Sequence, residues 1–465
     1  MITATTAAPG PRSNAFAVWF RDLERWSVGS FIALDWRWPR NMIRPLAEAL
    51  VRKSSEVDRM TTSTDKLKLI TLRFDGVIEP RQQHGNKPIK GRLWWADAGD
   101  VVYSRIDVRN GAIGIVPDDL GRVCVTSEYP VYEVDPNVAD AGYIKLLFRT
   151  VTFRRKINAM ISGASGRKRV QPPDLEAVEV PLPPLPVQLR IVASWEKAQA
   201  EVADTQQRIA EMEHRMEIEF LADLGLTKPQ RVKLPRASAV QWRHLERWSV
   251  MFNQSGRVSV DLTAGWYAAV PLQECLEGTT NGYCIRPVNK ETPHRMLKLN
   301  ALQAWGLDVE QSKFVNVSEE IAKRFHLARG DLLICRSIGS FDHIAKCAVV
   351  EDDRTDILFP DIIIRARLNS RIEPSYAREV IQSSVGRAWF QQNARTAVGM
   401  WKIGGSDIAA FPMPLPPLPI QRELVSKVMT QRQRIAALKA EVEHRAKQAK
   451  TEVEERILGD EPVGA

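Results

Sequence analysis

Four stretches of the chain concentrate side chains that could neutralise a polyanion or read a nucleic-acid base. They are EPRQQHGNKPIKGR (79–92), SGASGRKRV (162–170), CRSIGSFDH (335–343) and ARTAVGMWKIGG (394–405). Lys and Arg bind phosphate without reading sequence. Arg suits guanine, and Asn or Gln suits adenine, because their polar groups match those base edges. The candidate contact residues are Gln82, Gln83, His84, Asn86, Lys87, Lys90, Arg92, Arg167, Lys168, Arg169, Arg336, Ser340, His343, Arg395 and Lys402.

Each of these residues has a second interpretation as ordinary solvated surface charge, so the prediction rests on the stretches more than on single side chains. The chain has 65 Lys and Arg against 56 Asp and Glu, a net charge of +9, which favours a polyanionic partner. The second half lacks the basic cluster of residues 167–169 and keeps only Lys402 near that point. The two halves are therefore not expected to contact the same sequence. Arg105 and Arg336 follow aligned strands, and a structural ion pair is their alternative role.

No catalytic or cofactor motif is recognised. QPPD (171–174) lacks the acidic or amide first residue and the aromatic last residue of an amino-methylation motif, and neither a GxSxG nor a Walker loop occurs. The five cysteines form no CxxC pair, which fits reduced thiols. His343 and Cys347 lie four residues apart, but without further ligands at metal spacing we interpret them as strand-region residues.

Membrane and export signals are also not recognised. The sequence has no apolar run of about 18 residues that would span a bilayer. The N-terminal residues do not show a basic segment followed by an apolar one, so no signal peptide is expected. We expect a cytoplasmic protein with no membrane partner and no cofactor in this chain.

The sequence is repeated internally. LERWSV at 23–28 recurs at 245–250, GDVVYSRI at 99–106 is echoed by GDLLICRSI at 330–338, and PLPPLPVQLRIV at 181–192 is matched by PLPPLPIQRELV at 414–425. The last pair is identical at eight of twelve positions, and the three offsets are 222, 231 and 233. Three matches in one order predict a pseudo-twofold repeat. Trp26 and Trp248, within LERWSV, are predicted to pack in the two cores.

A region of mixed α and β character precedes each proline segment. DVVYSRIDV and GAIGIV in the first half, and DLLICRSI and DIIIRARL in the second, have the composition of strands. AGYIKLLFRTVTFRRKINAM and PSYAREVIQSSVGRAWFQQNA carry apolar residues at helical spacing. The fold class is therefore α+β, with globular domains predicted at 1–180 and 229–413.

A long helix follows the first proline segment. Apolar residues recur at alternating steps of four and three from Ile191 to Met216, with Thr205 as the one polar member, which is a heptad seam. The prolines set the first helical turn. Gly225, with Lys228-Pro229 beyond it, predicts the end of the helix.

The second proline segment is followed by a similar but less regular pattern. Each helix of about 38 residues spans roughly 55–60 Å at 1.5 Å per residue. A helix with one apolar stripe must bury it, and the two helices are the obvious mutual partners. Residues 181–228 and 414–465 are therefore predicted to form an antiparallel coiled coil. The prolines could also form a polyproline II linker, which is compatible with this interpretation, whereas an SH3 ligand is less compatible with a helix that follows directly.

These features together resemble the specificity subunits of type I restriction–modification enzymes. That family has two target-recognition domains, each followed by a helical region that opens with a PLPPLxEQ segment. PLPPLPVQ and PLPPLPIQ match it, except that Val187 and Ile420 replace the glutamate. The GD segments at 99–116 and 330–340 and the SGASGRKRV stretch also look like family segments. The resemblance covers nearly the whole chain.

The resemblance implies a function and partners. Each domain would read one half of a split, asymmetric site in double-stranded DNA, and the helices would set the gap between the halves. The helices would also dock two modification subunits, which methylate adenine at N6 with S-adenosylmethionine, and a translocating restriction subunit can join the complex. The specificity subunit itself would do no chemistry.

Three alternatives stay open at this point. One is a specificity subunit of another methylation-based phage-defence system. Another is an independent DNA-binding regulator that dimerises through its helices. The third is an enzyme with an unrecognised active site.

Overall fold

The computed structural model describes residues 36–58, 60, 67–81, 91–159, 169–229, 241–242, 261–303, 306–397 and 399–460. The LERWSV segments, with Trp26 and Trp248, lie outside these residues. The chain divides into two compact units, Met1–Asp204 with Val442–Ala465, and Thr205–Glu441. None of the helices in the described residues has the length and apolar character needed to span a bilayer.

Up to residue 204, the described residues of the first unit form ten strands, three short α-helices and the first part of a long helix. They are β1 (Ile43–Pro45), β2 (Leu50–Lys53), β3 (Ile70–Leu72), β4 (Ile78–Pro80), β5 (Leu93–Ala96), β6 (Val101–Tyr103), β7 (Ile113–Ile115), β8 (Val123–Thr126), β9 (Val131–Val134), α1 (Ala141–Leu147), α2 (Val151–Ala159), α3 (Pro172–Glu176), β10 (Glu179–Pro181) and α4 (Leu185–Asp223). β2, β9, β6 and β7 form a four-stranded antiparallel sheet in that order, and β1 pairs with β10.

The second unit contains the remaining elements. They are β11 (Ala269–Pro271), β12 (Leu276–Asn281), β13 (His294–Leu297), β14 (Ser312–Val315), α5 (Glu319–Phe325), β15 (Leu332–Cys335), β16 (Ser337–Ile338), β17 (Cys347–Val349), β18 (Ile357–Leu358), β19 (Ile363–Leu368), α6 (Pro374–Gln382), α7 (Ser384–Asn393), β20 (Arg395–Ala397), β21 (Met400–Lys402), α8 (Gly405–Ala409), β22 (Pro412–Pro414) and α9 (Leu418–Leu458). α9 continues from this unit into the first after residue 441, and α4 passes the other way after residue 204.

The two units share one core topology. The sheet order β2–β9–β6–β7 is repeated as β12–β19–β15–β17, and the pair β1–β10 is repeated as β11–β22. In chain order α1, α2 and α3 correspond to α6, α7 and α8. The predicted α+β class and internal repeat are therefore confirmed.

The segments inserted into this core differ between the units. The first unit adds the pairs β3–β4 and β5–β8, whereas the second adds the sheet β14–β13–β18 and helix α5. Both insertions leave the core after its first strand, β2 or β12. The two units thus share a common core, and each carries a different insertion.

Each helical stretch predicted before a proline segment is a pair of helices. α1 and α2 are separated at Thr150, and α6 and α7 at Ser383. The Thr150 hydroxyl accepts a hydrogen bond from the Phe153 N–H at 3.2 Å, and the Ser383 hydroxyl accepts one from the Gly386 N–H at 3.2 Å. Such side chains satisfy donors that a new helix leaves unpaired.

The GD segments tie the core strands together. The Asp100 carboxylate lies 2.8 Å from the Lys53 ammonium, and the Asp331 carboxylate lies 2.8 Å from the Arg367 guanidinium. Both aspartates are buried. Burial raises the pKa of Asp100, although the Lys53 ammonium acts against that rise. The repeated aspartates therefore have a structural role.

Within each unit, α4 and α9 run antiparallel. In the first unit, Arg445 Nε donates to the Glu201 carboxylate at 3.0 Å. In the second, Lys439 Nζ donates to the Glu213 carboxylate at 2.8 Å. Residue numbers rise along one helix as they fall along the other, which confirms the predicted antiparallel pairing.

The heptad seam of α4 faces inward. Ile191, Ala198 and Ile209 are buried, and the intervening seam residues are half-buried. The helix ends at Asp223, and Gly225 has a φ of +73°, the left-handed conformation that a C-terminal glycine supplies. The predicted seam and helix end are both confirmed.

Candidate nucleic-acid interface

In the second unit, one end of the core sheet gathers segments from distant parts of the chain. The antiparallel register places the ends of β12 and β15 beside the starts of β19 and β17. β15 leads there into β16, which pairs with β21, and β21 pairs with β20. The stretches 335–343 and 394–405 therefore lie together at this end of the sheet.

Two cations oppose each other on the β20–β21 hairpin. Arg395 and Lys402 are direct cross-strand partners, and both are exposed. Directly opposed residues project from one face with Cβ atoms about 4.5–5.5 Å apart, and opposed like charges destabilise a sheet. Asp407 offsets part of this repulsion, because its Oδ1 lies 3.5 Å from Arg395 Nη2. An anion bound between the two cations would relieve the rest.

Arg336 lies half-buried between β15 and β16. Its backbone N–H donates to the Ile362 carbonyl at 2.9 Å, and its carbonyl accepts from the Ile403 N–H at 2.9 Å. Within the described part of the chain, no ion pair or side-chain hydrogen bond engages its guanidinium. The alternative role as a structural ion-pair partner therefore has no partner among those residues.

Ser340 and His343 are exposed on the loop that follows β16. The Phe341 ring, between them, lies 4.5 Å from the Trp401 ring by centroids, which packs the loop against β21. Cys347 is buried, and burial raises the pKa of its thiol to about 12. Among the residues that the structure describes, no group of three or more His, Cys, Asp or Glu side chains is placed to hold a metal.

The first unit repeats the backbone arrangement around Arg336. The Val170 N–H donates to the Arg105 carbonyl at 2.9 Å, and the Arg105 N–H donates to the Glu128 carbonyl at 3.0 Å. Arg169 is exposed and pairs with the Glu128 carboxylate at 3.2 Å. Arg105 is half-buried, and its Nε has no hydrogen-bond partner in the part of the chain that the structure describes. Arg167 and Lys168 lie outside the described residues.

Most of the 79–92 stretch lies outside the described residues. The predicted residues outside the described part are Gln82, Gln83, His84, Asn86, Lys87 and Lys90. Arg92 is exposed; its Nε donates to Glu56 at 2.6 Å, and its guanidinium lies 5.9 Å from the Trp94 ring centroid. This hydrogen-bonded pair raises the pKa of Arg92 and lowers that of Glu56.

Sequence reasoning missed cations in the second insertion. Arg286 and Lys290 are exposed on the segment that leaves β12 at the same end of the core sheet. The 79–92 stretch belongs to the matching insertion of the first unit. Alignment of the two insertions within the repeat would have drawn attention to both residues.

The glutamine of each proline segment fixes the start of a long helix to its own globular region. Gln188 accepts from the Asp140 N–H at 2.9 Å and donates to the Pro183 carbonyl at 2.7 Å. Gln421 accepts from the Glu373 N–H at 2.8 Å and donates at 2.8 Å to a carbonyl of its own proline segment. Both side chains are fully buried.

A tyrosine adds a second fixed point in each unit. The Tyr143 hydroxyl donates to the Pro181 carbonyl at 2.9 Å, and the Tyr376 hydroxyl donates to the Pro414 carbonyl at 2.9 Å. Both tyrosines are fully buried, and burial raises the pKa of each. The proline segments are therefore packed joints, and neither a free linker nor an SH3 ligand fits this burial.

The opposite end of each long helix supplies a carboxylate to the other half's globular region. Glu454 of α9 accepts from the Val151 N–H at 2.7 Å, and Glu217 of α4 accepts from the Ser384 N–H at 2.7 Å. Burial works against ionisation of Glu217, but hydrogen bonds from Ser384 and the ion pair with Lys228 outweigh it, and the pKa of Glu217 is lowered. Each carboxylate thus pairs an N–H at the first turn of a short helix.

Curated proteins with similar sequences share one description. The chain is 26% identical over 289 residues to the type I restriction enzyme EcoKI specificity subunit of Escherichia coli strain K12, covering 62% of this chain and 58% of that protein. It is 20% identical over 288 residues to the StySPI specificity subunit of Salmonella potsdam, covering 62% and 57%. The resemblance to type I restriction enzyme specificity subunits is confirmed. No protein-family model matches the chain.

A third relative agrees with this resemblance, and a solved structure has a similar fold. The putative MjaX specificity subunit of Methanocaldococcus jannaschii is 24% identical over 161 residues, covering 34% of this chain and 37% of that protein. The matches thus span less than two thirds of the length of these specificity subunits. A chain from a study of complex assembly and conformational transition of the type I R-M system has a TM-score of 0.56 at 15% identity, covering 90% of this chain and 98% of that one. At that identity the likeness establishes the fold.

Proposed function

We propose that this chain is the DNA-recognition and assembly subunit of a type I restriction–modification methyltransferase complex. Residues 1–180 and 229–413 would each read one half of a bipartite, asymmetric site in double-stranded DNA. Residues 181–228 and 414–465 would form the spacer that sets the gap between the halves. The observation that carries the proposal is the repeated core sheet, whose same end carries Arg105 and Arg169 in the first unit and Arg336, Arg395 and Lys402 in the second.

The distribution of residues fits a division between binding and reading. Cations near the repeated core suit phosphate, which supplies affinity without sequence information. The insertions differ in fold between the units, so they present different side chains to the DNA. An asymmetric site requires two different recognition surfaces, and the two insertions on the repeated core would provide them.

The long helices offer a surface for partner subunits. In the second unit a groove of about 640 Å³ runs along α4 and α9, and its lining includes Met216, Phe220, Leu424 and Val428. We propose that these helices dock two modification subunits. Those subunits would bind S-adenosylmethionine and methylate adenine, and a translocating restriction subunit would join them. This chain would be non-catalytic.

Two alternatives predict different assemblies. An independent regulator that dimerises through its helices would pair α4 and α9 between two copies. The ion pairs from Arg445 to Glu201 and from Lys439 to Glu213 join helices of one chain, which supports the first proposal. A specificity subunit of another methylation-based defence system would differ only in its effector.

The test compares host DNA with and without this gene by single-molecule sequencing. The expected result is one split adenine-methylation motif that disappears when the gene is deleted. Co-purification with two methyltransferase subunits, and a monomeric mass for the chain alone, are expected in parallel. A chain that purifies only by itself, in a host without such a motif, would refute the proposal.

A further inference from the structure

One basic pair occurs at the same place in both units. In the second unit the Ile403 N–H donates to the Arg336 carbonyl, and Lys402 immediately precedes Ile403. In the first unit the Val170 N–H donates to the Arg105 carbonyl at the same 2.9 Å, and Arg169 immediately precedes Val170. In each unit, an arginine carbonyl accepts this backbone hydrogen bond, and a second cation directly precedes the residue that donates it.

The position of this pair is also common to the two units. Arg105 follows β6 and Arg336 follows β15, the equivalent strands of the repeated sheet. Each arginine also donates its backbone N–H to a carbonyl just before the neighbouring strand of the sheet. Arg105 donates to Glu128, before β9, and Arg336 donates to Ile362, before β19. The unlike insertions leave the sheet at the same end. The pair therefore belongs to the repeated core and not to the insertions.

The cations of the two pairs differ in exposure: Arg105 and Arg336 are half-buried, and Arg105 Nε is buried without a hydrogen-bond partner among the described residues. Lys402 and Arg169 are exposed, and Arg336 has no ion-pair partner among the described residues. Arg169 pairs with Glu128, whose side chain is half-buried. Because the Arg169 side chain is 51% exposed, it can also reach a phosphate.

We infer that Arg336 with Lys402, and Arg105 with Arg169, are equivalent phosphate-anchoring pairs that hold the DNA backbone in both units without reading sequence. This inference rests on the proposed function. Residues repeated in two readers of different sequences cannot distinguish those sequences, whereas any DNA segment presents the same phosphates. Base reading then belongs to residues that the repeat does not share.

Arg395 provides the matched contrast. It is exposed and lies directly across the hairpin from Lys402. At the offset of 233 that relates Arg169 to Lys402, the first half has Ser162 instead. An unshared arginine beside a shared anchor is suited to reading guanine in one half-site only.

The test measures the binding of short duplexes to the full-length chain, or to its complex with the modification subunits, over a series of salt concentrations. The variants are Arg336→Gln with Lys402→Gln, Arg336→Lys with Lys402→Arg, and Arg395→Gln. Loss of two phosphate contacts should reduce the slope of log K against log salt by about 1.8, equally for random and motif-bearing duplexes. The charge-keeping double variant should retain the slope.

The methylated motif gives the second readout. The Gln double variant should keep every base of the motif, and Arg395→Gln should relax one half-site. An unchanged slope, or a changed base in the double variant, would overturn the inference. Arg105→Gln with Arg169→Gln repeats the test in the other unit and decides it if the first variant unfolds. If the parent chain binds no duplex and host DNA carries no split methylation motif that depends on it, the proposed function itself fails.

Discussion

Replacement of Gln421 by alanine should loosen the joint between the second globular region and its long helix. The side chain is fully buried. Its Oε1 accepts from the Glu373 N–H at 2.8 Å, and its Nε2 donates to the Pro416 carbonyl at 2.8 Å and the Arg371 carbonyl at 3.3 Å. Alanine removes all three bonds and leaves a cavity where the amide was.

The magnitude follows from the groups left behind. A buried donor or acceptor without a partner costs about 1–3 kcal/mol. The Pro416 carbonyl and the Glu373 N–H are the two affected groups that are not exposed. We therefore expect a loss of about 3 kcal/mol in the free energy of unfolding of this region. For a domain of this size that corresponds to a fall in Tm of about 6–12 °C.

Calorimetry and hydrogen exchange together test this value. The transition of the second unit should move to lower temperature, and exchange of the Glu373 amide should accelerate by up to about a hundredfold. Gln188→Ala should give the same change in the first unit, because Gln188 makes equivalent bonds. Gln433→Ala, an exposed site on the same helix as Gln421, serves as the control. If Gln421→Ala and Gln433→Ala unfold alike, the reasoning about the joint is wrong.

Further predictions concern the ends and the length of the helices. Glu217→Gln should lower stability by about 1 kcal/mol, because a charged hydrogen bond to Ser384 becomes a neutral one. The folded-state pKa of Glu217 lies below its usual 4.5. The parent should therefore keep this contribution to stability above pH 4.5 and lose it as the pH falls through the lowered pKa. An acid titration of the variant should not show that loss of stability. Gly225→Ala should lower the free energy of unfolding by at least about 1–2 kcal/mol, because φ is +73° and the new methyl group would lie 2.5 Å from Trp266. Gly278→Ala is the control, because nothing lies within 4 Å of its new methyl group, and it should lower stability less. Thermal melts measure both. A seven-residue insertion in both α4 and α9 should lengthen the spacer by about 10 Å, or roughly three base pairs at 3.4 Å each. Methylation sequencing should then show a wider gap between unchanged half-sites.

Local sequence patterns predicted much of the fold. The heptad spacing from Ile191 onward and the glycine at 225 depend on contacts within one helix, so the helix and its end could be predicted correctly. The helical stretches were harder to divide. Thr150 and Ser383 begin new helices through bonds that compete with helix continuation, and periodicity does not reveal such a choice.

The candidate interface was less accessible from the sequence. The stretches were chosen by composition, and Arg286 and Lys290 were missed because their segment is less densely basic than 79–92. The grouping of Arg336 with Lys402 depends on the pairing of β16 with β21, which no local pattern specifies. The predicted contacts in residues 82–90 remain predictions.

The sequence by itself determined the twofold plan, because duplicated segments such as PLPPLP and GD preserve their order whatever the chain folds into. It also determined two long amphipathic helices, since a 3.5-residue apolar period admits little else. Only the tertiary structure decided which cations share a site and what the motif glutamines do. Those outcomes depend on hydrogen bonds between residues up to 67 positions apart, such as Arg336 with Ile403, and such pairings are set by the packing of the whole unit.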